Sequence, residues 1–245
     1  MTDIHCHILP GVDDGAENTE AALAMARQAA DCGIRDVIAT PHFRGREGEL
    51  EERPRVFRQL EMLNGALTRE DIPLTVHPGA EILCFPETVA LARKGLLPTL
   101  GETNYVLCEF FFDAPYEFMD RILSDIAHAG YRIVVAHPER YEAVIRDPRC
   151  ARHWFRKGYV IQLDKGSVLG AFGGRVQGAA RWLLDMGFVH LIASDAHSPR
   201  RRTTDLTFLR SWLLERYPEG YTRLLLEENP RRLLRNHDMV PTEQN

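Results

Sequence analysis

Eight residues of metal-ligating type, strung over almost the whole chain, each stand at or just after the C-terminal end of a segment that reads as a β-strand. They are His5 and His7, His42, Glu81, Glu109, His137, Asp195 and His197. The strands are short apolar runs at 2–6, 36–40, 74–82, 105–110, 131–137, 159–163 and 188–193, the third broken or bulged near Pro78-Gly79. Stretches of helical periodicity separate them at about 19–33, 50–70, 87–94, 116–129, 148–157 and 175–186, and 203–234 holds two more amphipathic pieces. Seven strands alternating with helices imply parallel βα units, as a closed barrel or as an open doubly wound sheet. Periodicity does not separate the two, but the candidate ligands do. Edge strands of an open sheet could not share one pocket, whereas the strand ends of a closed β/α barrel converge on one face. The expected fold is α/β, a seven-stranded (β/α) barrel in one domain over 1–235, followed by a polar, frayed tail over 236–245.

The opening stretch Asp3-Ile4-His5-Cys6-His7 carries two of these ligands. Alternation along a strand puts both imidazoles on one face and Cys6 on the other. A lone His-x-His is common, and any one of His42, His137 or Glu81 alone is better explained as a cap or a satisfied polar group. The set is different, because eight ligand types at strand ends are hard to obtain by chance. The remaining histidines, His77, His128, His153, His190 and His237, fall in helices or lack partners and read as surface or structural.

Composition excludes several classes. The net charge of −5 and a pI near 6.1 give no nucleic-acid footprint. Basic residues are nearly all arginine, with Lys94, Lys157 and Lys165 the exceptions, which a GC-rich genome explains. No signal peptide and no apolar run of roughly 20 residues is present, so no membrane insertion is expected. The cysteines at 6, 32, 84, 108 and 150 are scattered and odd in number, the usage of a reduced compartment. The expected location is cytoplasmic. Cys150 to Arg156 matches the C-x5-R spacing of a cysteine-phosphatase loop, but His153, Trp154 and Phe155 fill its middle and it reads as helix, not as a backbone cradle for phosphate. No Ser-His-Asp triad and no Gly-rich nucleotide loop stands out.

At these motifs the chain resembles the PHP (polymerase and histidinol phosphatase) superfamily, and most closely the bacterial manganese-dependent protein-tyrosine phosphatases of capsule and exopolysaccharide operons, the CpsB/CapC/YwqE type. The matching strings are Asp3-Ile-His-Cys-His-Ile-Leu-Pro-Gly-Val-Asp-Asp-Gly-Ala16, Ile38-Ala-Thr-Pro-His42, Gly79-Ala-Glu-Ile82, Glu109-Phe110, Val135-Ala-His-Pro-Glu-Arg-Tyr141 and Ile192-Ala-Ser-Asp-Ala-His197. The resemblance implies a distorted barrel and a site for three metal ions, Mn²⁺ with Fe²⁺ or Zn²⁺ as alternatives. It implies that His5, His7, Glu81 and Asp195 hold one ion and that Glu81, Glu109 and His137 hold a second. Asp14, His42 and His197 would hold the third; Asp14 is chosen over Asp13 on the family pattern, since spacing does not decide. Arg140 and Arg202 match family arginines that contact phosphate. Asp164 departs from the Asn or Thr of many relatives and adds a carboxylate near the barrel mouth.

The chemistry agrees with that class. Histidine and carboxylate ligands without thiolate suit Mn²⁺, Fe²⁺ or Zn²⁺. Paired metals can present a hydroxide near neutral pH, and arginines offset charge on the phosphoryl group. The implied reaction is hydrolysis of phosphotyrosine in a protein by metal-bound hydroxide, the implied substrate the tail of a membrane tyrosine kinase. Alternatives are a histidinol-phosphate or other small-molecule phosphomonoesterase on the same fold, and a metal-stabilised binding module without catalysis. An amidohydrolase also begins with His-x-His, but Glu109 stands where its lysine would.

Overall fold

The fold follows from side-chain alternation along short parallel strands. The computed structural model describes residues 1–242. The strands are β1 (Thr2–Cys6), β2 (Asp36–Ala39), β3 (His42–Phe43), β4 (Thr75–His77), β5 (Glu81–Leu83), β6 (Tyr105–Glu109), β7 (Arg132–Ala136), β8 (Val160–Asp164) and β9 (Leu191–Ala193). All pairings are parallel, in one sheet ordered β1-β2-β4 and another ordered β3-β5-β6-β7-β8-β9. β2 and β3 are halves of one stave interrupted at Thr40-Pro41, and β4 and β5 are halves of another interrupted at Pro78-Gly79-Ala80. Proline removes the ladder donor at each interruption. Merging the halves leaves seven staves, and the two sheets become one run from β1 to β9.

The run closes on itself. A parallel bridge pairs Cys6 with Ala196, the His7 N–H donates to Ala196 O at 2.9 Å, and the Asp195 N–H donates to His5 O at 3.0 Å. Asp3 stitches the same seam: it is fully buried and accepts from the Ser194 N–H at 3.0 Å and the Ser194 hydroxyl at 2.5 Å. The distorted (β/α) barrel is the architecture of the chain.

Alternation sorts the two faces. Tyr105 and Leu107, Val134 and Ala136, Val160, and Leu191 and Ala193 fill the interior with Ile4 and Ile38, while Val106, Cys108, Ile133, Val135, Ile161, Leu163 and Ile192 pack outward against helices. Continuing the inward parity toward the C-terminal ends brings Glu109, Gln162, Asp164 and Asp195 over this apolar plug. The opposite end is sealed by Leu100 and Leu233, which join the interior cluster.

The helices are α1 (Thr19–Asp31), α2 (Arg53–Arg69), α3 (Pro86–Arg93), α4 (Tyr116–His128), α5 (Glu142–Arg146), α6 (Arg149–Arg156), α7 (Lys165–Leu169), α8 (Gly174–Asp185), α9 (Thr207–Leu214), α10 (Glu219–Arg223) and α11 (Asn229–Leu234). α1 starts where Asn18 accepts from the Ala21 N–H and buries Ala22, Met25, Ala26 and Ala29, the stripe expected from its spacing. The short α5 and α7 and the strand at His42–Phe43 go beyond what periodicity indicates, since each is too short to show a period. The segment 203–234 forms the two expected helical pieces, α9 and a continuous run over 219–234 in which a π turn at Leu224–Glu228 joins α10 to α11. None of the helices is long and apolar enough to cross a membrane among the described residues, and all five cysteines are free.

The expected fraying after Asn236 is corrected for residues 236–242; 243–245 lie outside the described residues. Tyr105 donates to His237 O at 2.8 Å, Asn229 exchanges hydrogen bonds with Val240, and the buried Thr242 hydroxyl bonds Gly187 O and Val189 O. Asn236, His237 and Asp238 are exposed, while the segment's backbone and the Thr242 hydroxyl tie it to the barrel underside.

Candidate metal centre

The strand ends bring all nine candidate ligands into one cluster. His5 Nε2 lies 3.3 Å from Glu81 Oε1 and 3.5 Å from Asp195 Oδ1, and His7 Nε2 lies 3.3 Å from Glu81 Oε2. His137 Nε2 is 2.8 Å from Glu81 Oε1 and 3.7 Å from Glu109 Oε1. His42 spans two groups, with Nδ1 3.1 Å from Glu81 Oε2 and Nε2 3.3 Å from Asp14 Oδ1, and His197 Nε2 is 3.6 Å from Asp14 Oδ1. Three sets offer donor atoms within 4.8 Å of one another: His5, His7 and Glu81; His42, Glu81 and Glu109; and His7, Asp14, His42 and His197. The sets overlap at His7, His42 and Glu81, so the cluster is continuous rather than three separate groups.

Asp13 and Asp14 divide their work. Asp13 faces back, accepting from His7 Nδ1 at 2.7 Å, the Gly15 N–H at 2.9 Å and the His42 N–H at 3.1 Å. Asp14 faces the cluster and remains 66% exposed. Gly15 is required by the tight loop, because a Cβ there would collide with the His7 backbone. His5 has its own orienting partner in Gln162, whose Oε1 lies 3.0 Å from Nδ1. A second partner of this kind fixes ring orientation and raises ligand basicity. Neither Asp13 nor Gln162 emerges as an orienting group from the sequence; the only signal for Gln162 is its parity with Val160 along β8. His137 is held differently, by left-handed backbone (φ 33°) and by the edges of Phe112 and Tyr141 at 6.0 and 5.9 Å. Asp195 and Arg202 share that conformation, with φ 47° and 51°. Non-glycine residues adopt it at a cost of order 1–3 kcal/mol each, repaid by the surrounding structure.

Electrostatics couple the cluster. Burial would raise Glu81, but the His5 charge and hydrogen bonds from His137 and His42 hold it well below the carboxylate range. Burial would depress the imidazoles; bonds to Asp13 and Glu81 overcome it at His7, and the Asp164 charge and Glu81 bond overcome it at His137, leaving each at about 9. His197 goes the other way, to about 3, pushed by burial and by the charges of His7 and Arg202.

Two arginines complete the mouth. Arg140 contacts Asp164 at 3.2 Å and Asp195 Oδ2 at 3.3 Å, and Arg202 contacts the same Asp195 oxygen. Asp164 is buried, accepts from Gln162 Nε2 at 3.0 Å and anchors Arg140. A groove of about 570 Å³ runs from Asp14 and His42 past Val56 and Phe57 of α2 to Pro78 and Thr99. Of the five histidines read as surface or structural, His77 pairs with Asp36 at 2.9 Å and His190 is buried away from the cluster.

The family model for capsular polysaccharide synthesis proteins, CpsB/CapC, matches residues 1–235. The chain is 38% identical over 237 residues to tyrosine-protein phosphatase YwqE of Bacillus subtilis, covering 96% of this chain and 92% of that one. It is 28% identical over 239 residues to tyrosine-protein phosphatase CpsB of Streptococcus pneumoniae, covering 96% and 98%. Among solved structures it is similar to one described as YwqE from B. subtilis and CpsB from S. pneumoniae, unique metal-dependent tyrosine phosphatases, with a TM-score of 0.85 and 35% identity over 100% of both chains.

Proposed function

The chain belongs to the CpsB/CapC family of capsular polysaccharide synthesis, and from that premise we propose that it is a metal-dependent protein-tyrosine phosphatase. The observation that carries this reading is the convergence of Arg140 and Arg202 on one oxygen of Asp195, at the edge of nine clustered nitrogen and oxygen donors. A continuous cluster of imidazoles and carboxylates, with orienting partners on His5 and His7, fits hard to borderline divalent ions. The proposed ions are Mn²⁺, three in number, with Fe²⁺ or Zn²⁺ as substitutes. His5, His7, Glu81 and Asp195 would hold one, Glu81, Glu109 and His137 a second, and Asp14, His42 and His197 the third. When bound, such ions polarise phosphoryl oxygens and lower the pKa of water toward neutrality.

The chain's own residues supply the rest. Arg140, fixed by Asp164, and Arg202 present guanidinium donors to phosphate oxygens and offset the charge that builds as the ester bond breaks. A phenolate leaves with a pKa near 10, so an aryl ester needs less general-acid help than an alkyl ester. The groove beside His42 gives room for the polypeptide that flanks a phosphotyrosine. The proposed substrate is a phosphotyrosine protein of the capsule or exopolysaccharide machinery, the cytoplasmic tail of a membrane tyrosine kinase. The histidinol-phosphate alternative is not favoured, because the relatives that match along the chain are named tyrosine-protein phosphatases.

The test is turnover of an aryl phosphate and of a phosphotyrosine peptide with Mn²⁺, then with EDTA. Activity is expected to vanish with chelator and to fall by about 10²-fold or more in Arg140→Ala, the scale for losing one transition-state donor. Turnover indifferent to EDTA and to His42→Ala would overturn the proposal.

A further inference from the structure

The two arginines at the mouth are packed against aromatic rings, one of which, Phe112, also meets His137 edge-on. The Arg140 guanidinium carbon lies 4.4 Å from the centroid of Phe112 and 4.5 Å from that of Phe172, and Phe172 is also 5.9 Å from the guanidinium of Arg202. Since both arginines reach the same Asp195 oxygen, two rings and two cations crowd one region beside the ligand cluster. Phe112 keeps 42% of its surface exposed and the adjacent Phe111 58%. Exposed aromatic surface beside cations that can hold a phosphate offers a contact for the group the phosphate carries.

The chain is built to place the second ring. Phe172 sits between Gly170 and Gly173, both in the left-handed region with φ 87° and 93°, where a side chain would strain the turn. A Cβ on Gly166 would stand 2.7 Å from the Phe172 ring, so glycine in Lys165-Gly166-Ser167 makes room for that ring to fold back toward Arg140.

Resting on the phosphatase reading, we propose that Phe112 and Phe172 form an aryl subsite that selects aromatic over alkyl phosphate esters. In an aryl phosphate one oxygen separates phosphorus from the ring. A phosphate held by Arg140 and Arg202 therefore carries its ring to the side chains packed beside those arginines. An alkyl ester brings no π face to that place and gains none of the ring–ring contact.

Binding of non-hydrolysable phosphonates to the Mn²⁺-loaded protein tests this without turnover. Calorimetry with phenylphosphonate and methylphosphonate gives a preference ratio. The wild type is expected to favour phenylphosphonate by roughly tenfold or more, the order that one or two aromatic contacts supply. Phe112→Leu and Phe172→Leu should each cut the ratio several-fold, and Phe112→Tyr should retain it. A wild-type ratio near one overturns the subsite whatever the variants do. Equal weakening of both phosphonates also overturns it, because the rings would then serve only to steady Arg140. If the wild type prefers phenylphosphonate yet hydrolyses no phosphate ester, the subsite stands and the phosphatase reading fails.

Discussion

His190 shows how one buried side chain sets a pH limit on the fold. Its Nδ1 accepts a hydrogen bond from the Ile161 N–H at 3.0 Å, so that nitrogen is unprotonated in the folded state. The ring stacks on Phe155 with centroids 4.5 Å apart, and burial pushes its pKa down to about 4. In the unfolded chain the same imidazole titrates near 6.5. Between those values the unfolded chain takes up a proton that the folded chain refuses. The stability contributed by His190 is therefore whole above about pH 6.5 and is lost as pH falls toward 4, by up to about 3 kcal/mol. Urea midpoints at pH 7 and pH 5 should fall more for the wild type than for His190→Gln; equal falls would refute this. At the same scale, ligand types at strand ends were legible in the sequence, because ligands must carry particular atoms. The partners behind them were not. Asp13 and Asp14 are identical and adjacent, and only the loop that brings Gly15 against His7 decides which carboxylate turns back to Nδ1. Phe112 and Phe172 stand 60 positions apart, and only the barrel brings both to Arg140.

At the level of elements, the sequence yielded the seven staves and the longer helices because each repeats a period over enough residues to be seen. α5, α7 and β3 are too short to show a period, and the closure of the barrel rests on contacts between residues almost the whole chain apart, such as Asp3 with Ser194. The C-terminal segment is polar and exposed at Asn236, His237 and Asp238, and yet it is tied down. Its backbone and the Thr242 hydroxyl bond to groups beneath the barrel. Asn229 bonds Val240 in both directions, Thr242 holds the turn before β9, and Met239 packs on the interior cluster beside Leu233. A chain ending at Arg235 is expected to lose roughly 2–4 kcal/mol, counting about 1 kcal/mol net for each of several hydrogen bonds and the lost apolar contact. Chemical denaturation of the shortened and full chains measures it. A midpoint unchanged within error would mean that these bonds are replaced by water at no cost.

For the molecule as a whole, the metal centre, the proton balance and the barrel are one system. The seven staves press Glu81, Glu109, Asp195 and Asp164 together over an apolar plug, and without a cation the cluster draws protons onto its imidazoles. His5 is raised well above its ordinary value by the Glu81 and Asp195 charges against the pull of burial, and His7 and His137 stand at about 9. An imidazole must give up its proton to ligate, so at pH 7.5 loading Mn²⁺ has to expel protons from these rings. Raising the pH removes that competition. Apparent affinity should rise by about tenfold per pH unit for each proton expelled, and rise less steeply above about pH 9 once His7 and His137 are already neutral. Titrating Mn²⁺ into chelator-stripped protein by calorimetry, in buffers of different ionisation enthalpy, counts the protons released. More than one is expected at pH 7.5 and fewer at pH 9.5, with affinity rising between them. Affinity independent of pH over that interval would mean that the carboxylates alone capture the metal and that the His5–His7 pair is a bystander.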